Sequence, residues 1–275
     1  MTTLHSTHID AYLSQLGLPD KLGGLELVSQ LQARHLAEFS FSSINALYGE
    51  FLSLQEADVF NRVITNREGG YCFEHNKIAC MALAHLGFEV RPVLARVMLN
   101  GLDTNPRTHR VTLLTLAGCE YLVDVGFGVK TPILPLKIDS NHSVEQGVNE
   151  YLIERKGQAV KVSMHAPEHS DLYEVDLGIV YEGDCEVAHF YSHQHPEAGF
   201  VNNLVVSRIE SGQRHLIRNL HYLVWNEHTG EHTQCDITGT QQLQGLLQAQ
   251  FRLQVSMPVI EKTFAKVYER ANQQR

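Results

Sequence analysis

The spacing of apolar residues switches near residue 90, and that switch limits the folds open to this chain more than any other feature. Before it, apolar positions recur at three- and four-residue steps: Ile9, Tyr12, Leu13 and Leu16, then Leu27, Val28, Leu31 and His35. That spacing lines one face of a helix. Leu18-Pro19 interrupts the first run, because proline lacks an amide proton and crowds the preceding turn. A third helix is expected after Gly69-Gly70, carrying Phe73, Ile78, Met81, Leu83 and Leu86, with Gly87 as its stop. Beyond residue 90 the runs 90–99, 110–116 and 121–125 are rich in β-branched and aliphatic residues and predict strands, with Ala117-Gly118 as a hairpin turn. Further strands are expected at 150–154, 159–164, 171–175, 204–209, 215–224 and 232–237, and helices over 240–251 and 260–271. The expected class is α+β, in three parts: a helical domain over 1–90, an antiparallel sheet or small β-barrel over 91–200, and an α/β domain over 201–275.

Composition narrows the partners. Lys and Arg total 22 against 31 Asp and Glu, a net charge of −9, and no basic stripe is present to displace phosphate counterions, so nucleic acid is not expected as a partner. The longest apolar runs, such as 78–83, fall far short of the roughly 18–20 residues a bilayer requires, so no membrane association is expected. The segment MTTLHSTHIDAYLSQLGL has no basic stretch followed by an apolar one and does not read as a secretory signal. Cys72, Cys80, Cys119, Cys185 and Cys235 are odd in number and irregularly spaced, which suits a reducing, cytoplasmic setting. Sixteen histidines include the pairs His165/His169, His193/His195 and His228/His232. None is completed by a cysteine or carboxylate at ligand spacing, so no metal is expected.

The chemistry concentrates around Cys72. Paired glycines permit a tight turn, and a cysteine directly after it sits in the first turn of a helix. Unpaired N–H groups and the positive end of the helix dipole favour a thiolate there, and the same N–H groups can hold an oxyanion. The alternative is that Cys72 is a small buried apolar residue. A nucleophilic thiol needs a base, and the base an orienting group. His109 and Asp124 stand at the open end of the hairpin closed by Gly118, and a buried Asp124 would need a partner such as an imidazole N–H. Alternatively, Asp124 caps the loop Gly126-Phe127-Gly128.

The segments Gly69-Gly-Tyr-Cys-Phe-Glu with Asn76, Leu83-Ala-His-Leu-Gly-Phe-Glu-Val, Thr108-His109 and Tyr121-Leu-Val-Asp-Val-Gly-Phe-Gly together resemble the arylamine N-acetyltransferase family, in its Cys–His–Asp order. Pro132-Ile-Leu-Pro-Leu and His195-Pro196 with Phe200 are weaker landmarks. The resemblance implies a cysteine-protease-like catalytic core with a C-terminal lid, and acetyl transfer from acetyl-CoA to an aromatic amine or hydrazine through acetyl-Cys72, with His109 as base and Asp124 as orienter. It also implies that Gly126 and Gly128 border the CoA cleft, and that Phe127, Phe200 and Phe41 contact the aromatic substrate. Two departures stand out: Glu68 replaces the family's usual Arg before the glycines, and Ser40-Phe41-Ser42-Ser43 replaces its Pro-Phe-Glu-Asn. An amide synthase, a transglutaminase- or protease-like acyl transferase and a non-catalytic binding protein remain the alternatives. The acceptor amine, the length of the acyl chain and the oligomeric state are left open.

Overall fold

The computed structural model describes residues 2–19, 21–210 and 212–273. Helical spacing before residue 90 becomes α1 (Thr2–Leu16), α2 (Gly24–Glu38), α3 (Ile44–Tyr48), α4 (Glu56–Phe60) and α5 (Cys72–His85), with a short strand β1 (Phe41–Ser42) between α2 and α3. A π-helical turn, Asn61–Thr65, follows α4. Eight strands come next: β2 (Glu89–Val97), β3 (His109–Leu116), β4 (Cys119–Val123), β5 (Leu136–Lys137), β6 (His142–Gln146), β7 (Asn149–Lys156), β8 (Ala159–Ala166) and β9 (Ser170–Asp176). Helices α6 (Glu182–Gln194) and α7 (Gly199–Asn202) lead into β10 (Val205–Glu210), β11 (Gln213–Arg218), β12 (His221–Asn226) and β13 (His232–Asp236). The last described elements are α8 (Thr240–Ala249) and α9 (Met257–Gln273). Among the described residues no helix is long and apolar enough to cross a membrane.

The strands form two antiparallel sheets. The larger runs β5-β4-β3-β2-β9-β8-β7-β6 and encloses a core of Val93, Val111, Leu113, Ile153, Val162 and Val175. Its order is linear, so the barrel expected over 91–200 is an open half-barrel. That span also ends in the helices α6 and α7, which the strand-like reading of the region did not separate. The second sheet runs β1-β10-β11-β12-β13, so the helical third of the chain supplies an edge strand to the C-terminal sheet. The single strand expected at 215–224 is two strands: Asn219, with φ of 53°, turns the chain between β11 and β12 and pairs Arg218 with His221.

Register assigns the faces of the second sheet. Phe41 pairs with Ser207, Ser207 with Leu216, and Leu216 with Leu223. These residues share one face with Val205, Arg218, Arg214 and Trp225, because side chains alternate along a strand. The opposite face, with Val206, Ile217 and Tyr222, packs on Leu243, Leu247, Phe251 and Ile260 of the C-terminal helical segment. Arg214 ties the two sheets together. Its Nε meets Glu227 Oε1 at 2.6 Å, and its Nη1 donates to the carbonyls of Val129 and Thr131 at 2.7 and 2.8 Å, in the loop that follows β4. Glu227 also accepts from Asn149 of β7 at 3.2 Å.

Both members of the Arg214–Glu227 pair are buried. Removing one strands the other charge, at a cost of about 3–5 kcal/mol. Arg214→Ala is therefore expected to lower the urea midpoint by that much stability, and Glu227→Gln, which keeps a hydrogen-bonding oxygen, by less. An unchanged midpoint for Arg214→Ala would show that the tie carries no load.

Candidate active site

Three elements meet at Cys72. Helix α5 begins with Cys72, β3 begins with His109, and Asp124 follows the last residue of β4. The turn Ala117-Gly118, with φ of 49° and 77°, closes the β3–β4 hairpin in two residues and sets Thr112 opposite Val123. Asp124 therefore lies one residue past the ladder, where its Oδ2 stands 2.8 Å from His109 Nε2. An ionised carboxylate only accepts, so Nε2 carries the proton and Nδ1 is left for the sulfur. Cys72 and His109 line one cavity, the Cys72 sulfur helps to raise the imidazole's pKa, and Sγ lies 3.6 Å from the carbonyl of Thr108. All three residues are buried.

The other carboxylate oxygen of Asp124 accepts from Asn76 Nδ2 and from the Gly126 amide, both at 2.9 Å. Asp124 thus caps the Gly126 loop and pairs with the imidazole at once. Asn76 lies about one helical turn after Cys72, on the same side of α5. It also donates to the Arg110 carbonyl at 2.6 Å and accepts the Val125 amide at 3.0 Å, so one side chain sets the helix against both strand ends. Burial alone would lower the pKa of His109, but the Asp124 charge, its hydrogen bond and the Cys72 sulfur outweigh it and lift it to about 10. Burial alone would raise Asp124, but the His109 charge and the donors from His109, Asn76 and Gly126 hold it below its ordinary value.

A cavity of about 700 Å³ opens over Cys72 and His109. Phe41, Gly126, Phe127, Gly128 and Phe200 all line it, so the candidate catalytic and substrate-contact residues lie around one cavity except Asp124, which sits behind His109. Phe41 and Phe200 stack edge to face at 5.6 Å, and Phe127 meets the His109 ring at 5.0 Å. Among the described lining residues Lys130 and Arg218 are cationic and none is a carboxylate. Gly126 has a steric reason to be glycine, since a Cβ there would stand 2.7 Å from Cys72 Cα. Tyr173 of β9 escaped the sequence reading. Its ring lies 5.1 Å from His109 and 4.9 Å from Phe127, but an aromatic residue in a strand carries no signal of such a place. Asn76 belonged to the cysteine motif, and its four-residue offset from Cys72 was the legible clue to its position.

The departures from the motif are accommodated locally. Arg67 reaches Glu38 Oε1 at 2.7 Å and covers the Phe39 ring at 4.5 Å, while Glu68 accepts from Asn66 Nδ2 at 3.1 Å. Ser40 and Ser43 hydrogen-bond to the Phe251 and Asn203 carbonyls at 2.6 and 2.9 Å. Among the described residues no group of histidines, cysteines and carboxylates is placed to hold a metal ion.

Residues 24–260 match the family model described as N-acetyltransferase. The arylamine N-acetyltransferase / N-hydroxyarylamine O-acetyltransferase of Salmonella typhimurium is 29% identical over 257 residues, 92% of this chain and 89% of that protein. A solved arylamine N-acetyltransferase from Salmonella typhimurium has a TM-score of 0.87 at 26% identity, covering 94% of this chain and 98% of its own. The Mycobacterium marinum arylamine N-acetyltransferase in complex with CoA shares the fold, with a TM-score of 0.86 at 24% identity, covering 95% of this chain and 98% of its own.

The raised pKa of His109 means that the imidazolium persists through neutral pH and is lost only as pH climbs through about 10. Without the Asp124 charge, burial is the main influence left, and it acts in the opposite direction. The His109 Cε1–H resonance should hold its imidazolium position through pH 8 in the native protein. In Asp124→Asn it should titrate well below that range. A native His109 that titrates near the ordinary 6.5 would contradict the paired state.

Proposed function

We propose a mechanism from one premise: the chain belongs to the arylamine N-acetyltransferase family and is an acyltransferase. The donor is acetyl-CoA, a reading supported by the CoA complex of the Mycobacterium marinum protein, and the acceptor is an aromatic amine or hydrazine. The observation that carries the mechanism is the 2.8 Å contact between His109 and Asp124, beside Cys72 at the head of α5. In the first half-reaction the Cys72 thiolate attacks the thioester carbonyl. The carbonyl oxygen takes the negative charge and is met by the Cys72 N–H, one of the unpaired amides of the helix start. The C–S bond to CoA breaks, and the departing sulfur takes the proton of the His109 imidazolium. In the second half-reaction the amine nitrogen attacks acetyl-Cys72 and gives its proton to the now neutral imidazole, and the Cys72 thiolate leaves. The balance is one acetyl group moved from sulfur to nitrogen, with thiolate and imidazolium restored.

Splitting the transfer in this way places a thioester between a thioester and an amide, so neither step is steep. Asp124 orients the imidazole and supports its charge in both halves, in the manner of a cysteine-protease-like triad. Phe41, Phe127 and Phe200 form aromatic walls for a planar acceptor, and Gly126 and Gly128 border the donor. A wall without carboxylates gives an alkylammonium no counter-charge, whereas an arylamine is neutral at pH 7 and enters uncharged. The working layout is a nucleophile-bearing part over 1–90, a part carrying His109 and Asp124 over 91–200, and a lid over 201–275. Five free cysteines suit a cytoplasmic setting.

Incubation with acetyl-CoA should add one acetyl group to the native protein by mass spectrometry and none to Cys72→Ala. CoA release should then become catalytic only when an arylamine is added. Asp124→Asn should reduce turnover by about 10⁴-fold, the size of effect seen when a triad loses its orienting carboxylate. Acetylated Cys72→Ala would remove the intermediate, and continuous CoA release without amine would make the protein a hydrolase.

A further inference from the structure

Behind the Gly69-Gly70 turn three fully buried side chains form a line that the mechanism above does not use. The Tyr12 hydroxyl, on α1, stands 2.7 Å from His35 Nδ1 on α2. His35 Nε2 stands 2.7 Å from His75 Nδ1 on α5. His75 Nε2 faces two carbonyl oxygens, Gly70 at 3.1 Å and Ser40 at 3.2 Å.

The proton positions follow by elimination. Carbonyl oxygens only accept, so His75 Nε2 is the protonated nitrogen. Burial pushes both imidazoles below their ordinary pKa, and for His35 the neighbouring His75 adds to the effect, so each ring is neutral with one proton. His75 Nδ1 then accepts from His35 Nε2–H, and His35 Nδ1 accepts from the Tyr12 hydroxyl. Burial holds that hydroxyl far above the ordinary tyrosine range, so it keeps the proton that His35 Nδ1 accepts. The whole line has one direction: it starts at Tyr12, is delivered at Gly70, and is fixed by the two carbonyls that only accept.

The point of delivery matters for the chemistry. The Gly70 carbonyl also accepts the Ser42 amide at 2.5 Å, and the amide of the same peptide unit, on Tyr71, donates to Glu74 Oε2 at 3.0 Å. The unit is therefore pinned at both ends. The next peptide unit carries the Cys72 N–H that meets the oxyanion in the mechanism above. With the opposite tautomer, the His75 Nε2 lone pair would face two carbonyl oxygens and push the turn away. Three apolar side chains would fill the same space without the cost of burying polar atoms, so packing alone does not account for this arrangement.

We propose that Tyr12, His35 and His75 form a positioning relay that aims the Cys72 N–H for oxyanion stabilisation. His75 is the positioning residue at the turn, and Tyr12, on a helix that precedes the family match at 24–260, supplies the donor that His35 Nδ1 needs at the far end of the line. The proposal rests on the acyl-transfer reading, and the test separates the two.

The acylation rate of Cys72 is followed by stopped flow with p-nitrophenyl acetate, and kcat and KM are measured with acetyl-CoA. Tyr12→Phe keeps the ring contacts with Phe39 and Phe60 and removes a single hydroxyl. It should slow acylation several-fold with KM unchanged. His75→Leu should slow it by about tenfold, less than the 10²–10³ lost when an oxyanion donor is removed outright, because the donor is misaimed and not deleted. His75→Gln, with an N–H for the carbonyls and an oxygen for His35, should recover most of the rate. Wild-type acylation in folded Tyr12→Phe overturns the relay, as does a loss confined to KM or one that glutamine fails to restore. A native protein that forms no acyl adduct overturns the relay and the function together, whereas an acylating native protein with indifferent variants overturns the relay alone.

Discussion

One buried carboxylate decides how the parts of the site meet. An uncompensated ionised Asp124 in the interior would cost several kcal/mol (about 3–5 when a buried pair is broken). Donors from three separate places compensate it: His109 at the start of β3, Asn76 on α5, and the Gly126 amide in the loop beyond β4. Each donor fixes its own element against the carboxylate, and so against the other two. The relation between Cys72 and His109, residues on different kinds of secondary structure, is a consequence of that shared anchor. The same anchor sets the electrostatics, since the charge that organises the backbone is also the one that raises His109.

The loop that begins at Gly126 extends this order to the cavity. Gly126 presses on the Cys72 backbone, so close that no side chain fits between them. A few residues later, Arg214 of the second sheet holds the carbonyls of Val129 and Thr131. One stretch of chain is thereby bound to the helix start on one side and to the C-terminal sheet on the other. The walls carrying Phe127 and Phe41 are held by this loop and by the β1 edge strand. Widening the space between the sheets would require breaking buried hydrogen bonds to a guanidinium, which is costlier than sliding apolar side chains past one another.

Much of this was legible in the sequence wherever a local pattern has a local cause. The head of α5 was readable because paired glycines, a cysteine and helical spacing all act within a few residues. The β3–β4 hairpin was readable because Ala117-Gly118 marks its turn, which puts His109 and Asp124 at its open end; the register that brings them together was not readable and comes from the fold. The failures lie where the cause is remote. The run 215–224 is uniformly strand-like, and only a left-handed Asn219 breaks it. The closed barrel became a half-barrel because closure depends on which edge strands meet, and the spacing within any strand is the same either way. Helix α6 was passed over within a region of strands, although its buried face carries Cys185, His189 and His193.

The histidines make the same point about residue types. Their number suggested metal ligands, and their spacing in sequence argued against it, but neither consideration could show what they do. His189 joins the Tyr71 hydroxyl at 2.6 Å to the Leu52 carbonyl at 2.6 Å, as His75 joins His35 to Gly70. In each case a neutral imidazole bridges a donor and an acceptor that lie too far apart in sequence to be paired by inspection. Burial depresses the pKa of His189 to about 3, which keeps it uncharged and able to bridge. A buried histidine beside a carboxylate becomes a cation, as His109 does, and one beside hydroxyls and carbonyls stays a neutral link. That difference is set entirely by the neighbours that the fold supplies, and it divides the reacting imidazole from those that hold the turn in place.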